Sequence, residues 1–434
     1  VSHKTDRTLV VRALARVEGE GAMHVRVRAG AVEDVRLEIY EPPRFFEAFL
    51  RGRRYTEPPD ITARICGICP VAYQMSACLA IEAACGIEVS APVADLRRLL
   101  YCGEWIESHA LHIYLLHAPD FLGYASALDL AREGRGRGLV ERGLALKKAG
   151  NAIMELVGGR AIHPVNVRVG GFYRAPARTE MAALAEKLRV ALDLALDTVA
   201  WAAGFEFPDF HHDHEMLALV TPGQYAIDRG TVASTGGLTF APAEFEDYLI
   251  EEQVPHSTAL HARLAGRGRY LTGPTARYTL SGQWLSPLAR QAADAAGLGA
   301  ECRNPFRSIL VRAVEVVYAV DEALRLIDRY EPPAPCYLEV PPRAAVGHGA
   351  TEAPRGVLFH RYAIDAAGLI TSVRIVPPTS QNQASIEDDL RRFVADRLDL
   401  DDQQLTRQCE QAIRNYDPCI SCSTHFLDLT VDRG

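Results

Sequence analysis

Long apolar runs are missing from this chain. None approaches the ~20 residues that span a bilayer, which argues against a helical membrane protein. The opening segment VSHKTDRTLVV lacks the layout of a secretory signal, so the expectation is a cytoplasmic protein with no membrane partner. Positive charge is scarce as well: 47 Lys and Arg against 55 Asp and Glu give a net charge of −8, which disfavours a nucleic-acid partner. Glycine (33) and proline (25) are too few for a collagenous chain. With 48% apolar and 24% charged residues, the composition is that of a folded protein rather than a disordered one. There is no internal repeat. No G-x-G-x-x-G follows a strand, so the chain itself is not expected to bind nicotinamide or flavin.

What is present has a clear organisation. Apolar residues alternate from Thr8 to Tyr40 with turn-like Gly between the runs, which predicts a small antiparallel sheet. A short helix over Arg44 to Leu50 follows. Apolar spacing of i, i+3, i+4 then predicts helices over Val71 to Ala84, Ala94 to His117, Arg142 to Val157, Thr179 to Ala203 and Phe306 to Tyr330. The GRGRG segment at 134–138 reads as a loop. After a proline-rich stretch, Gly356 to Ile364 and Leu369 to Val376 read as a hairpin, followed by helices over Ile386 to Leu398 and Gln403 to Arg414. Length alone allows two or three folding units or one large core. The expected class is α+β and predominantly helical, a long-helix body with small sheet pieces near the two ends.

Ten cysteines in such a chain are better read as buried residues or metal ligands than as a disulfide framework. Cys78, Cys85, Cys102, Cys302, Cys336 and Cys409 have no C-x-x-C partner and read as core. The other four form two C-x-x-C pairs, Cys66/Cys69 and Cys419/Cys422, at opposite ends of the chain. Spacing leaves three readings open: a structural zinc site, a catalytic soft-metal site including nickel or iron, and unrelated thiols. The His211-His212-Asp213-His214-Glu215 run lacks an H-E-x-x-H pattern and reads as a polar loop.

Five ordered segments carry a resemblance. Arg64-Ile65-Cys66-Gly67-Ile68-Cys69 and Asp417-Pro418-Cys419-Ile420-Ser421-Cys422-Ser423-Thr424-His425 resemble the paired signature of nickel–iron hydrogenase large subunits. Arg16-Val17-Glu18-Gly19, Ala353-Pro354-Arg355-Gly356 with Leu358 and His360, and Pro378-Thr379-Ser380-Gln381-Asn382 resemble three further motifs of that family. The resemblance runs from end to end. It implies one large-subunit unit over 1–434: an N-terminal β region (8–40), a helical body (61–330), a C-terminal β/α region (355–425) and a maturation extension (426–434).

The resemblance implies a nickel bound by Cys66, Cys69, Cys419 and Cys422, with Cys69 and Cys422 bridging to an iron that carries carbon monoxide and cyanide. It implies Cys419 as a terminal ligand able to take a proton, Glu18 as the next proton carrier, and Arg355 over the open metal face. Asp120 and Asp417 would hold that arginine, while Pro378 and Thr379 would line the cyanide pocket. A magnesium would be held by Glu47, the carbonyl of Ile375 and His425, with waters. The activity implied is reversible cleavage of dihydrogen.

Too few paired cysteines remain for iron–sulfur clusters, so electrons must leave through another polypeptide. The implied partners are an iron–sulfur small subunit, diaphorase-type subunits carrying clusters and flavin, and a maturation protease cutting after His425. The neighbourhoods of Cys69 and Cys419 are most similar to the cytoplasmic NADP-coupled, sulfhydrogenase-type branch, with NAD-coupled and heterodisulfide-reductase-associated branches as alternatives. Two rivals stand beside this reading: a hydrogenase-related scaffold without hydrogen chemistry, and a structural zinc protein.

Overall fold

The alternation near the start folds into an antiparallel meander of β1 (Asp6–Val11), β2 (Gly21–Arg28) and β3 (Ala31–Ile39) in the computed structural model, which describes residues 6–424. Met23, Val25 and Val27 on β2 and Val35, Leu37 and Ile39 on β3 occupy every second position and are buried as one apolar face. A short helix, α1 (Phe46–Leu50), leads to the first cysteine pair.

The middle is helical. α2 (Pro70–Cys85) starts on a proline at its first position and stops at Gly86, whose φ of 70° suits only the left-handed region. It is buried on nearly every side, which marks it as the central helix. α3 (Ala91–Leu111) runs on into a π-helical turn, His112–His117. α4 (Gly134–Gly158) lies against α3 so closely that a Cβ on Gly150 would sit 2.6 Å from the carbonyl oxygen of Gly103. The GRGRG segment is therefore helical, not a loop: it forms the first turns of α4, held by an Arg137–Glu141 pair one turn apart. α5 (Arg178–Ala203) completes the helices expected in this part.

Between 204 and 305, inside the region expected to be helical, the chain forms six short strands. These are β4 (Glu215–Val220), β5 (Thr231–Ser234), β6 (Thr239–Phe240), β7 (Leu249–Glu252), β8 (His261–Leu264) and β9 (Tyr270–Leu271). None is longer than six residues, too short for alternation to stand out from a buried run.

The buried helix α6 (Ser308–Asp328) returns through the core. β10 (Ala345–Ala353), β11 (Gly356–Ile364) and β12 (Ile370–Val376) form the C-terminal antiparallel sheet, which adds one strand to the expected hairpin. Gly347 and Gly349 of β10 let it press on α2: a Cβ at Gly347 would fall 2.0 Å from the carbonyl oxygen of Ala80. α7 (Pro378–Ala395) covers the N-terminal sheet with Ile386, Leu390 and Phe393, and α8 (Asp402–Arg414) follows. No helix among the described residues is long and apolar enough to cross a membrane.

Several buried charges are paired. Arg97 on α3 forks onto both carboxylate oxygens of Glu82 on α2, at 2.8 and 2.6 Å. Five of the six unpaired cysteines are buried as expected, and Cys336 is half-buried.

Candidate metal centre

Both C-x-x-C loops end at a helix start. Cys69 immediately precedes α2, and Cys419 precedes the one-turn α9 (Ile420–Ser423). The start of α2 is fixed by Glu104 of α3, which accepts from the N–H groups of Val71 (2.5 Å) and Ala72 (3.1 Å). The two loops are tied by Arg44, whose guanidinium donates to the carbonyls of Ile65 and Ser421 and whose N–H donates to Thr424 O at 2.7 Å. Neither Glu104 nor Arg44 carries a sequence signal. Each acts through backbone groups that no motif encodes.

The four sulfurs meet. Cys66, Cys69, Cys419 and Cys422 are all buried, none is in a disulfide, and their Sγ atoms lie within 4.8 Å of one another. Cys66 Sγ is 3.5 Å from Cys419 Sγ, and Cys69 Sγ is 3.5 Å from Cys422 Sγ. Hydrogen bonds from the neighbouring thiols of Cys419, Cys422 and Cys69 hold Cys66 well below the usual thiol range, whereas burial pushes Cys419 well above it. The N–H groups of Ile68 and Cys69, both 3.3 Å from Cys66 Sγ, also favour a thiolate there. Four thiolates this close are mutually repulsive unless a cation compensates them. The donor set, four soft sulfurs in a dry pocket, fits a soft transition metal.

Glu18 reaches the same point from the other end of the chain. Its Oε2 lies 3.1 Å from Cys419 Sγ and accepts from the N–H of Ser421 at 3.1 Å, while its carbonyl accepts from the N–H of Ile420 at 2.9 Å. Gly19 makes this approach feasible: at φ +86° it lies where a Cβ would come 2.7 Å from Ile420 Cβ.

Arg355 is 2% exposed and anchored on Asp417, donating from Nε to its carbonyl at 2.8 Å and from Nη2 to Oδ1 at 3.2 Å. Nη1 has no partner among the described residues. Burial works against the guanidinium charge, but the Asp417 carboxylate and the sulfurs of Cys419, Cys69 and Cys66 outweigh it and hold the group protonated.

Asp120 stands elsewhere, contrary to the expectation that it helps to hold Arg355. Its two oxygens are taken by Arg414, from Nε at 2.7 Å and Nη2 at 2.8 Å, and by Arg16 at 2.5 Å. Burial raises its carboxyl, yet these two cations bring it below the usual range. The reason is topological: α8 returns Arg414 to the end of the π-helical turn, where Asp120 is the nearest acid.

Thr379, at the start of α7 behind Pro378, accepts from the N–H of Cys419 through Oγ1 at 3.1 Å, which leaves its hydroxyl proton available to another acceptor. Glu47 is buried on α1 and accepts from the N–H of Ile375 at 2.7 Å; burial raises its carboxyl. His425 and the 426–434 extension lie outside the described residues. In the His211–Glu215 run the polar-loop expectation fails in part. His212 and His214 are buried, with His214 Nε2 3.0 Å from Asp389.

The family model described as nickel-dependent hydrogenase matches residues 44–134 and 310–425. Sulfhydrogenase 1 subunit alpha of Pyrococcus furiosus is 34% identical over 97% of this chain and 98% of its own length. Sulfhydrogenase 2 subunit alpha of the same organism is also 34% identical, over 95% and 98%. Among solved structures, an NAD+-reducing NiFe-hydrogenase in the H2-reduced state superposes with a TM-score of 0.84. It shares 26% identity and covers 97% of this chain and 100% of that one.

Proposed function

The chain belongs to the nickel-dependent hydrogenase family as a catalytic large subunit, and from that premise we propose how its own residues serve the reversible cleavage of dihydrogen into two protons and two electrons. Cys66, Cys69, Cys419 and Cys422, whose sulfurs converge, would hold nickel, and Cys69 and Cys422 would also serve the iron with its carbon monoxide and cyanide. When bound, that centre supplies the two-electron chemistry.

The protein's part is proton handling and electrostatics. Cys419 Sγ receives the proton and passes it to Glu18 Oε2, 3.1 Å away, from where it leaves the interior. Arg355, fixed by Asp417, holds a buried positive charge beside the sulfurs with one N–H edge free to polarise a small ligand. Asp120 serves at one remove, locking Arg414 and Arg16 and so the segment that carries Glu18. Thr379, whose Oγ1 already accepts from Cys419 N–H, would donate its hydroxyl proton to a cyanide, with Pro378 beside it. Glu47, the Ile375 carbonyl and His425 would hold a magnesium with waters.

The likeness to the alpha subunits of two sulfhydrogenases supports electron exit through a partner, an iron–sulfur small subunit. Diaphorase-type subunits with flavin and clusters, coupling to NAD(P), a protease acting after His425 and a cytoplasmic location complete the proposal. The observation that carries it is the carboxylate of Glu18 on the sulfur of Cys419: a structural zinc site has no use for a proton acceptor there.

Metal analysis of the purified complex gives nickel and iron, and infrared spectra show carbon monoxide and cyanide bands, if the reading holds. Zinc in their place overturns it. Cys422→Ser, which puts a hard oxygen where a bridging sulfur is needed, is expected to abolish metal loading.

A further inference from the structure

Among the described residues, one group of side chains that could hold a metal lies outside the cysteine cluster. His256 follows β7, His261 opens β8, and Glu387 sits midway along α7. One ligand atom from each comes within 4.8 Å of the others. We propose that these three residues bind a zinc ion, which clips β8 and the N-terminal sheet to α7.

Three observations support a site rather than a chance cluster. His261 is 5% exposed, and its Nε2 has no hydrogen-bond partner among the described residues. Leaving a buried ring nitrogen unpaired is costly unless something binds it. His256 Nε2 lies 2.7 Å from Glu387 Oε1, and that oxygen also accepts from the N–H of Leu37 in β3 at 2.8 Å. Glu387 Oε2 makes no hydrogen bond among the described residues. The two imidazoles meet nearly edge to face, with centroids 5.6 Å apart and planes at 84°, so they do not stack and both can address one point.

The electrostatics allow a cation. A cavity of about 740 Å³ borders His261 and Glu387, lined by five carboxylates and three arginines. Each arginine already has an acid: Arg269 holds Asp388 at 2.7 Å, Arg267 holds Glu215 at 3.1 Å and Arg263 holds Glu252 at 3.4 Å. Asp213 is held by Arg392 at 3.0 Å, so no arginine of the lining is left to compete for Glu387. Two imidazoles and one carboxylate, with a position left for water, form a donor set that zinc accepts and that magnesium or calcium does not favour. Burial lowers the pKa of His261 to about 4, so its ring is neutral and available at physiological pH.

The consequence is mechanical. Glu387 lies about 12 Å of helix rise beyond Thr379 on the same α7. An ion here would join β3, β8 and the helix whose first turn meets Cys419. It would take no part in the hydrogen chemistry.

The test uses the intact complex, stripped of loosely held metal with a chelator, given zinc chloride alone and then desalted. One zinc per chain is expected, with an X-ray absorption spectrum of nitrogen and oxygen neighbours and no sulfur. Glu387→Gln, which keeps an acceptor for Leu37, and the half-buried His256→Gln are each expected to weaken zinc retention by more than the roughly 10–100-fold typical of losing an outer partner. His261→Ala should do the same, and the other two variants stand in for it if it does not fold. Sulfur neighbours in the spectrum, equal zinc retention in all variants, or no zinc held by the unmodified complex overturns the proposal. Nickel and iron measured in the same samples report separately on the cysteine centre.

Discussion

Replacing Glu18 by glutamine isolates its proton from everything else it does. The carboxylate makes two bonds through Oε2, one facing Cys419 Sγ and one from the N–H of Ser421, each 3.1 Å. An amide oxygen can keep the Ser421 bond and so hold the loop, but the side chain can no longer take a proton from sulfur. A positioned proton acceptor contributes roughly 10²–10⁴ in rate, or about 2.7–5.4 kcal/mol in barrier. Glu18→Gln is therefore expected to retain nickel and iron while losing turnover by that factor in both directions. Glu18→Asp withdraws the carboxylate by about 1.5 Å, one carbon–carbon bond, opening the gap to roughly 4.6 Å, which one water can bridge. It should recover part of the rate. The assay is hydrogen oxidation and proton reduction by the purified complex, with metal content measured alongside. Full activity of the glutamine variant at neutral pH removes Glu18 from the path.

Arg355→Lys keeps a cation but cannot reproduce the two-point hold on Asp417, so activity should fall by roughly 10-fold or more with nickel retained, checked by assay and metal analysis. Arg97→Met strands the Glu82 carboxylate in the interior. A loss of about 3–5 kcal/mol is expected in denaturant unfolding of the complex. His212 is buried with its pKa lowered from 6.5 to about 4, chiefly by desolvation. The unfolded chain therefore binds the extra proton between those values, and stability falls as pH drops from 6.5 to 4 by about 3 kcal/mol. His212→Gln should flatten that part of a pH–stability curve, and an unchanged slope assigns it to other groups.

The parts of this molecule that could be read from sequence are those whose cause is local or covalently spaced. The helix expected over Val71 to Ala84 is present as α2, opened by Pro70 and stopped by Gly86, both local signals. The cysteine pairs could be read because metal chemistry fixes both residue type and spacing. Asp120 shows the opposite case. Its partners Arg16 and Arg414 are 104 and 294 positions away, and only the completed packing of α8 decides that they, and not Arg355, receive it. The short strands between 204 and 305 were hidden for a related reason: a two- to six-residue run gains its identity from the neighbour it pairs with. The glycine-rich start of α4 misleads because a poor helix former can still be helical where a large side chain would collide. A Cβ at Gly136 would meet the carbonyl of Leu130.

The thiols that meet in the centre are 353 positions apart, Cys66 with Cys419 and Cys69 with Cys422. At roughly 5–20 residues per second of synthesis, the second pair leaves the ribosome roughly 18–70 s after the first. During that interval the nascent chain offers only two of the four thiols that converge at the centre, too few to complete it. A chain truncated anywhere before Cys419 never offers more of that set. Metal occupancy thus acts as a checksum on translation, since only a polypeptide read past Cys422, with two segments 353 positions apart brought together, can hold the ion.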